Sequence, residues 1–313
     1  MNGPDIKLKP LGELGLGVDG EAVFEALRPF VTQNPEAGRF DTEMRLRRKN
    51  LRKRLIKRIG NGWFRQVRST DRILNEYEAA WQAGHTRYDV TRGPQSFTPW
   101  RWRDKDILVD AAGSARMRNI MFGAVIRALK PKRVLEVGCG EGINMFLLAG
   151  AFPDVSFTGL ELTSTGHNEA LKLQAGAVLP EHLLSYAPLP QKDGQAFKRI
   201  SFVQGNACAM PFETGSFDLV MTVLSVEQME QVRKEALTEI ARVTGGHLLS
   251  LEPFRDVNAD LLRRLNVASR DYFRGSIAEM RDYGLEPIWA TDDFPQEVFL
   301  GSALALSRKI TNS

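Results

Sequence analysis

Cysteine, histidine and long apolar runs are all scarce in this 313-residue chain, and each scarcity closes off a class of function. Two cysteines, Cys139 and Cys208, give neither a disulfide framework nor the spacing of a structural metal site. The longest apolar run, INMFLLAGAF at 143–152, is too short to span a bilayer. The N-terminal MNGPDIKLKPLGELG lacks the apolar core of a secretory signal, so a cytoplasmic protein is the simplest expectation. Internal repeats and low-complexity tracts are also missing, which excludes solenoids and arrays. With 43% hydrophobic and 26% charged residues, the composition is that of an ordinary folded protein. The net charge of +4 is modest, but it is unevenly spread.

What is present falls into two regimes. Residues 1–115 show no strand alternation and read as a helical region with loops. From about residue 116 short β-rich runs appear, at 133–137, 155–161, 200–204, 217–223, 247–251, 287–290 and 298–306. Amphipathic stretches at 142–150, 166–177 and 230–243 separate the first five. Strands alternating with helices predict an α/β fold with a mostly parallel sheet covered on both faces. The last two runs, joined by TDDFPQE, suit a terminal antiparallel hairpin. Two inserts, 179–197 and 256–284, exceed ordinary connections and are expected to cover or shape a site.

The stretch RVLEVGCGEG (133–142) sets three glycines after the first strand. A dinucleotide fingerprint wants glycine at the first, third and sixth positions; here Gly138 and Gly140 fit, but the next glycine, Gly142, comes one residue early. Glu136 also precedes the turn, where a carboxylate would repel a pyrophosphate on the following helix N-terminus. It suits a ligand bearing an ammonium and a sulfonium instead. Glu161 ends the second strand, where a carboxylate accepts ribose hydroxyls in either nucleotide class.

At these residues the chain resembles the class I S-adenosylmethionine-dependent methyltransferases. EVGCGEG matches their E/D-x-G-x-G-x-G signature. NACAMPF (206–212) and SFDLV (216–220) are similar to the second signature of the small-molecule branch. The resemblance covers 116–252 and implies a Rossmann-like, seven-stranded sheet with the N-terminal region acting as a lid and acceptor selector. It implies S-adenosyl-L-methionine as cofactor, with Glu136 at the methionine end, Gly138, Cys139, Gly140 and Gly142 forming the cradle, and Glu161 on the ribose. Leu162 would lie on the adenine, Asn206 and the main chain of Ala207 would meet its edge, and Ser225 would face the methionine portion. For Leu162 and Ala207, core packing fits equally. Cys139 suits packing better than nucleophilic attack, since no histidine is near it in sequence.

Catalytic groups are harder to read. Relatives carry a Glu-His pair after the fourth strand, but this chain has Glu227-Gln228, leaving Glu227 as base, cofactor contact or helix cap. His85, in the aromatic stretch YEAAWQAGHTRYDV (77–90), is the other candidate base. Tyr88 and Trp100, among the aromatics Tyr77, Trp81, Phe97 and Trp102, and Tyr272 from the second insert, are candidate acceptor contacts; a small aromatic core is the competing reading. The acceptor is expected to be a small metabolite, lipid- or sugar-linked acceptors included.

Residues 45–58, RLRRKNLRKRLIKR, hold nine lysines and arginines and no acid. Within the helix expected over 43–59, Met44, Leu51, Leu55 and Ile59 recur near helical spacing. Three readings fit this pattern: an anionic membrane surface on the inner face of a membrane, a helix docked through its apolar stripe, or nucleic acid. An RNA methyltransferase and a non-catalytic cofactor-binding scaffold are therefore the alternative functions. The absence of N/D-P-P-Y/F after the fourth strand, and of a Pro-Cys pair, weighs against base-amine and cytosine-C5 methylation.

Overall fold

Strands begin earlier than the sequence suggests. The computed structural model describes residues 6–32, 38–60, 97–270 and 272–310. Two helices come first, α1 (Gly20–Leu27), capped by the Asp19 carboxylate, and α2 (Arg39–Gly60). Then β1 (Phe97–Trp102) and β2 (Lys105–Asp110) pair antiparallel from Phe97↔Asp110 to Trp102↔Lys105. This corrects the reading of 1–115 as helix and loop. FTPWRWRDKD hides the strand because Pro99 and the alternating arginines break the usual apolar signature. Pro99 needs no ladder donor; its carbonyl accepts from Val298 N at 3.1 Å.

The main sheet holds β3 (Arg133–Val137), β4 (Ser156–Glu161), β5 (Ser201–Gln204), β6 (Phe217–Val223), β7 (Thr244–Glu252), β8 (Leu285–Thr291) and β10 (Ala303–Lys309). Their order is β5-β4-β3-β6-β7-β10-β8. The first five are parallel, and β10 runs antiparallel between β7 and β8. The terminal hairpin is thus present, but its connection detours: β9 (Gln296–Glu297) leaves the main sheet to pair with β1.

Alternate residues of each strand serve opposite faces. Val134, Leu219, Met221, Leu249, Leu251, Leu304 and Leu306 bury on one side, with α3 (Ser114–Leu129) and α4 (Ile143–Ala151). Leu135, Val137, Val220, Leu248, Ala303 and Ala305 bury on the other, against α6 (Arg233–Val243), which follows α5 (Ser164–Ala175) in the chain. Each fully buried aliphatic side chain contributes roughly 1.5–3 kcal/mol, so two covered faces explain why these strands read as continuous apolar runs. Leu11, Val23, Leu27, Trp100 and Val109 belong to the first cluster, which builds the N-terminal segments into the same core.

The insert 179–197 packs along α4, with Phe197 edge-on to Phe146 at 6.4 Å. Leu183, Tyr186 and Phe197 join the first core cluster, Tyr186 stacks on Phe30 at 5.0 Å, and Lys192 N donates to Gly150 O at 2.8 Å. Gly150 lies at the end of α4 remote from the glycine turn, so this hydrogen bond ties the insert to the far end of the helix. The second insert forms α7 (Leu261–Arg270), against which α2 docks. Met44, Leu51 and Phe299 form a small satellite core there, flanked by Leu55, Leu262 and Leu265. Ile59, expected in that stripe, is 64% exposed: it lies one turn beyond Leu55, in the last turn of α2, and outside the satellite core.

Candidate functional site

In an open α/β sheet, ligands settle beyond the carboxyl ends of the strands where the winding direction reverses. That point here is β3, with β4 on one side and β6 on the other. The turn after β3 is tight: Gly138 N and Cys139 N both donate to Leu160 O, at 2.8 and 3.0 Å. Gly138, Gly140 and Gly142 all take positive φ (75°, 55° and 80°), the region open mainly to glycine. A Cβ on Gly138 would stand 2.7 Å from Ser225 Cβ, and one on Gly142 2.6 Å from the Phe202 ring.

Two carboxylates flank this cradle. Glu136 is buried; its Oε1 accepts from Asn144 Nδ2 at 2.7 Å, while Oε2 carries no hydrogen bond. Burial raises its pKa to about 7, with Asn144 and the buried Arg118 guanidinium pulling down and Glu161 pushing up. Asn144 Oδ1 and Ser225 Oγ are likewise buried without partners. Glu161 is held from both sides: Oε2 accepts from Gly140 N at 2.9 Å, and Oε1 from Thr163 N and Oγ1 at 2.9 and 2.6 Å. Burial first, then Glu136 and Glu161, pushes the Cys139 thiol well above its ordinary range. That keeps it protonated and unreactive, as the packing role requires.

A third acid organises the far wall. Glu252, the last residue of β7, accepts from the backbone N–H groups of Ser225 (3.2 Å), Val226 (3.1 Å) and Glu227 (3.3 Å). It thereby fixes the turn that follows β6, where Leu224 is forced to φ 52°. Burial and then the charge of Glu227 raise the Glu252 pKa. Glu227 is itself buried, and its Oε1 accepts from Gln228 Nε2 at 2.7 Å; Gln228 also reaches the Tyr272 hydroxyl at 3.3 Å.

This combination is a glycine cradle beside a half-satisfied buried carboxylate, with a second acid at the ribose position. Against family models, residues 135–250 match the methyltransferase domain. These residues form a methyltransferase domain of the class I S-adenosylmethionine-dependent kind. O-methyltransferase rstn1 of Aspergillus nomiae is 26% identical over 183 residues, 57% of this chain and 72% of that protein. The fatty-acid O-methyltransferase of Mycolicibacterium smegmatis is 36% identical over 120 residues, but the match spans 38% of this chain and only 36% of that enzyme. Among solved structures, a candidate sarcosine dimethylglycine methyltransferase from Galdieria sulphuraria shares the fold, with a TM-score of 0.51 at 13% identity over 74% of this chain and 98% of that one. A methyltransferase domain of this kind implies S-adenosylmethionine as the methyl donor.

The methyltransferase domain brings most of the expected residues together. Glu136, Gly138, Cys139, Gly140, Gly142, Glu161 and Ser225 meet around the ends of β3, β4 and β6. Leu162 is 39% exposed, so it is not core and has a face free for a ligand. Ala207 is buried, and Asn206 Oδ1 accepts from Cys208 N at 2.9 Å. Tyr272 arrives beside Gln228. Trp100 does not fit its expected acceptor role: it is buried in the core cluster and its indole N–H donates to Thr98 Oγ1. Phe273 packs on Phe254 at 5.9 Å, also as core. His85 and Tyr88 lie outside the described residues. Asn144, Arg118 and Glu252 were not anticipated. For Glu252 a signal existed, namely a lone acid closing the apolar run HLLSLE.

Proposed function

We propose that this chain transfers a methyl group from S-adenosylmethionine to an oxygen, nitrogen or carbon atom of a small acceptor with an apolar body. The observation carrying this reading is the buried Glu136 carboxylate, whose Oε2 has no partner in the protein while glycines leave the adjoining backbone bare. A carboxylate so placed is costly unless a cation meets it. Glu136 is the proposed holder of the methionine ammonium, oriented by Asn144. Glu161 would receive the ribose hydroxyls, Leu162 would cover the adenine, and Asn206 with the Ala207 main chain would meet its edge. When bound, the cofactor supplies an electrophilic methyl on a sulfonium that departs as a neutral thioether.

The protein's own work is then mainly alignment and exclusion of water. On the acceptor side we place Glu227, Gln228 and Tyr272. Two buried acids that repel one another do not both ionise readily, so with Glu252 holding a proton, Glu227 is left as the carboxylate able to take one from a hydroxyl acceptor. His85 and Tyr88 complete the proposal as second candidate base and acceptor wall. The similarity to a fatty-acid O-methyltransferase is in keeping with an apolar acceptor.

Titration calorimetry tests the cofactor half. Glu161→Ala should weaken S-adenosylmethionine binding by about two orders of magnitude, the worth of one or two hydrogen bonds to a charged group at ~1.5–3 kcal/mol each. Circular dichroism should stay native. Labelled methyl should enter the organic-soluble fraction of a cell extract. Unchanged affinity in the variant, or preferential capture of nicotinamide coenzymes, would overturn the assignment.

A further inference from the structure

The cationic helix α2 has two faces with different fates. Its inner face is committed to α7 through Met44, Leu51 and Leu55. Three hydrogen bonds fix it there: Arg54 to Asn266 Oδ1 (2.9 Å) and Ser269 Oγ (3.1 Å), and Arg58 to Ala268 O (2.6 Å). Docking therefore explains the apolar stripe and two of the arginines, but not the rest. At about 100° per residue, Arg45, Lys49, Arg52, Lys53 and Ile56 turn away from that stripe, and Arg48 and Ile59 lie at its edge. All seven are exposed, the isoleucines at 69% and 64%, with Leu46 at the rim. Among the described residues no carboxylate pairs with these five cations. Like charges also stand four residues apart, as at Arg45/Lys49, Arg48/Arg52 and Lys49/Lys53, an arrangement that destabilises a helix facing water alone.

We infer that the outward face of α2 seats on an anionic lipid surface, its cations on the headgroups and its isoleucines at the acyl boundary. Charge complementarity requires a polyanion, and the aliphatic residues choose between polyanions. A bilayer interface rewards Ile56, Ile59 and Leu46, whereas a nucleic acid rewards aromatic stacking, and none of the seven exposed residues is aromatic. Among the described residues no helix is long and apolar enough to cross a membrane, so the contact is a surface one. Next to α2, α7 exposes Leu261 (73%), and it leads towards Tyr272, whose hydroxyl meets Gln228. The inference stands independently of the acceptor's identity.

Vesicle flotation of the full chain tests it. Phosphatidylcholine vesicles containing phosphatidylglycerol should carry the protein, and pure phosphatidylcholine vesicles should not. The combined Arg48→Gln, Lys49→Gln, Arg52→Gln and Lys53→Gln variant should lose at least about a hundredfold in partitioning. Ile56→Ser with Ile59→Ser should weaken binding most at high salt, where screening removes the charge contribution. Neither variant touches the cofactor residues, so S-adenosylmethionine affinity by calorimetry should be unchanged; that control separates failure here from failure of the methyltransferase reading. Equal flotation of the native chain and the four-cation variant would overturn the inference. So would RNA binding that outcompetes vesicles and is indifferent to the isoleucine changes.

Discussion

Glu136 shows how far one side chain governs the chemistry. Its folded pKa of about 7 lies above the ordinary 4.5, so the folded state holds the proton more tightly than the unfolded one. Stability from this group is therefore complete below pH 4.5 and is lost as pH rises through about 7. A cationic ligand reverses the preference, because it binds the ionised form. Affinity for S-adenosylmethionine should accordingly fall by about tenfold per pH unit below neutrality. Glu136→Gln should bind weakly with a flat profile, and should melt higher than the native protein at pH 8 in the absence of ligand. Calorimetry and thermal melts across pH 5–8 check both outcomes; a flat native profile would exclude Glu136 from the ammonium contact. At this scale the sequence was most informative about glycines and acids, because both are demanded by geometry that tolerates little else. Asn144 and Arg118 escaped notice because polar residues inside a helix have no local signature; only the fold brings them to Glu136.

Among the elements, α2 is the one held most locally. Its satellite core contains few residues, so its docking is separable from the central sheet. Leu51→Ala should remove about 3 kcal/mol from that contact. Hydrogen exchange should then quicken across residues 39–60 while β3, β6 and β7 keep their protection. Uniform loss of protection would show that α2 is integral to the whole. Of the five parallel strands, the central β3 and β6 were the most legible, because both faces are buried and they read as largely apolar runs. The β1–β2 hairpin was not, since Arg101 points outward between two buried tryptophans and Pro99 interrupts the pattern. The short β9 pair with β1 is a tertiary event that no local stretch encodes.

For the molecule as a whole, the N-terminal segments and the sheet share a core. Lys9 N donates to Ala290 O at 2.9 Å, and Leu11 N to the Asp293 carboxylate at 2.9 Å. A chain beginning after Thr32 should lose Leu11, Val23 and Leu27 from the first cluster and fail to unfold cooperatively; a sharp, native-like melt would instead mark 1–32 as dispensable. The sequence conveyed the α/β plan because alternating strands and helices leave few topologies, yet it did not say where 179–197 packs, since loop length alone says nothing of where a loop lies. The position of β10 carries a last consequence, for biogenesis. It slots between β7 and β8 although it is synthesised after both, so during translation those two strands present open, adhesive edges to anything nearby. Closure of the sheet must wait for residues 303–309 to clear the ribosome, which makes this a protein whose nascent form has reason to be chaperoned.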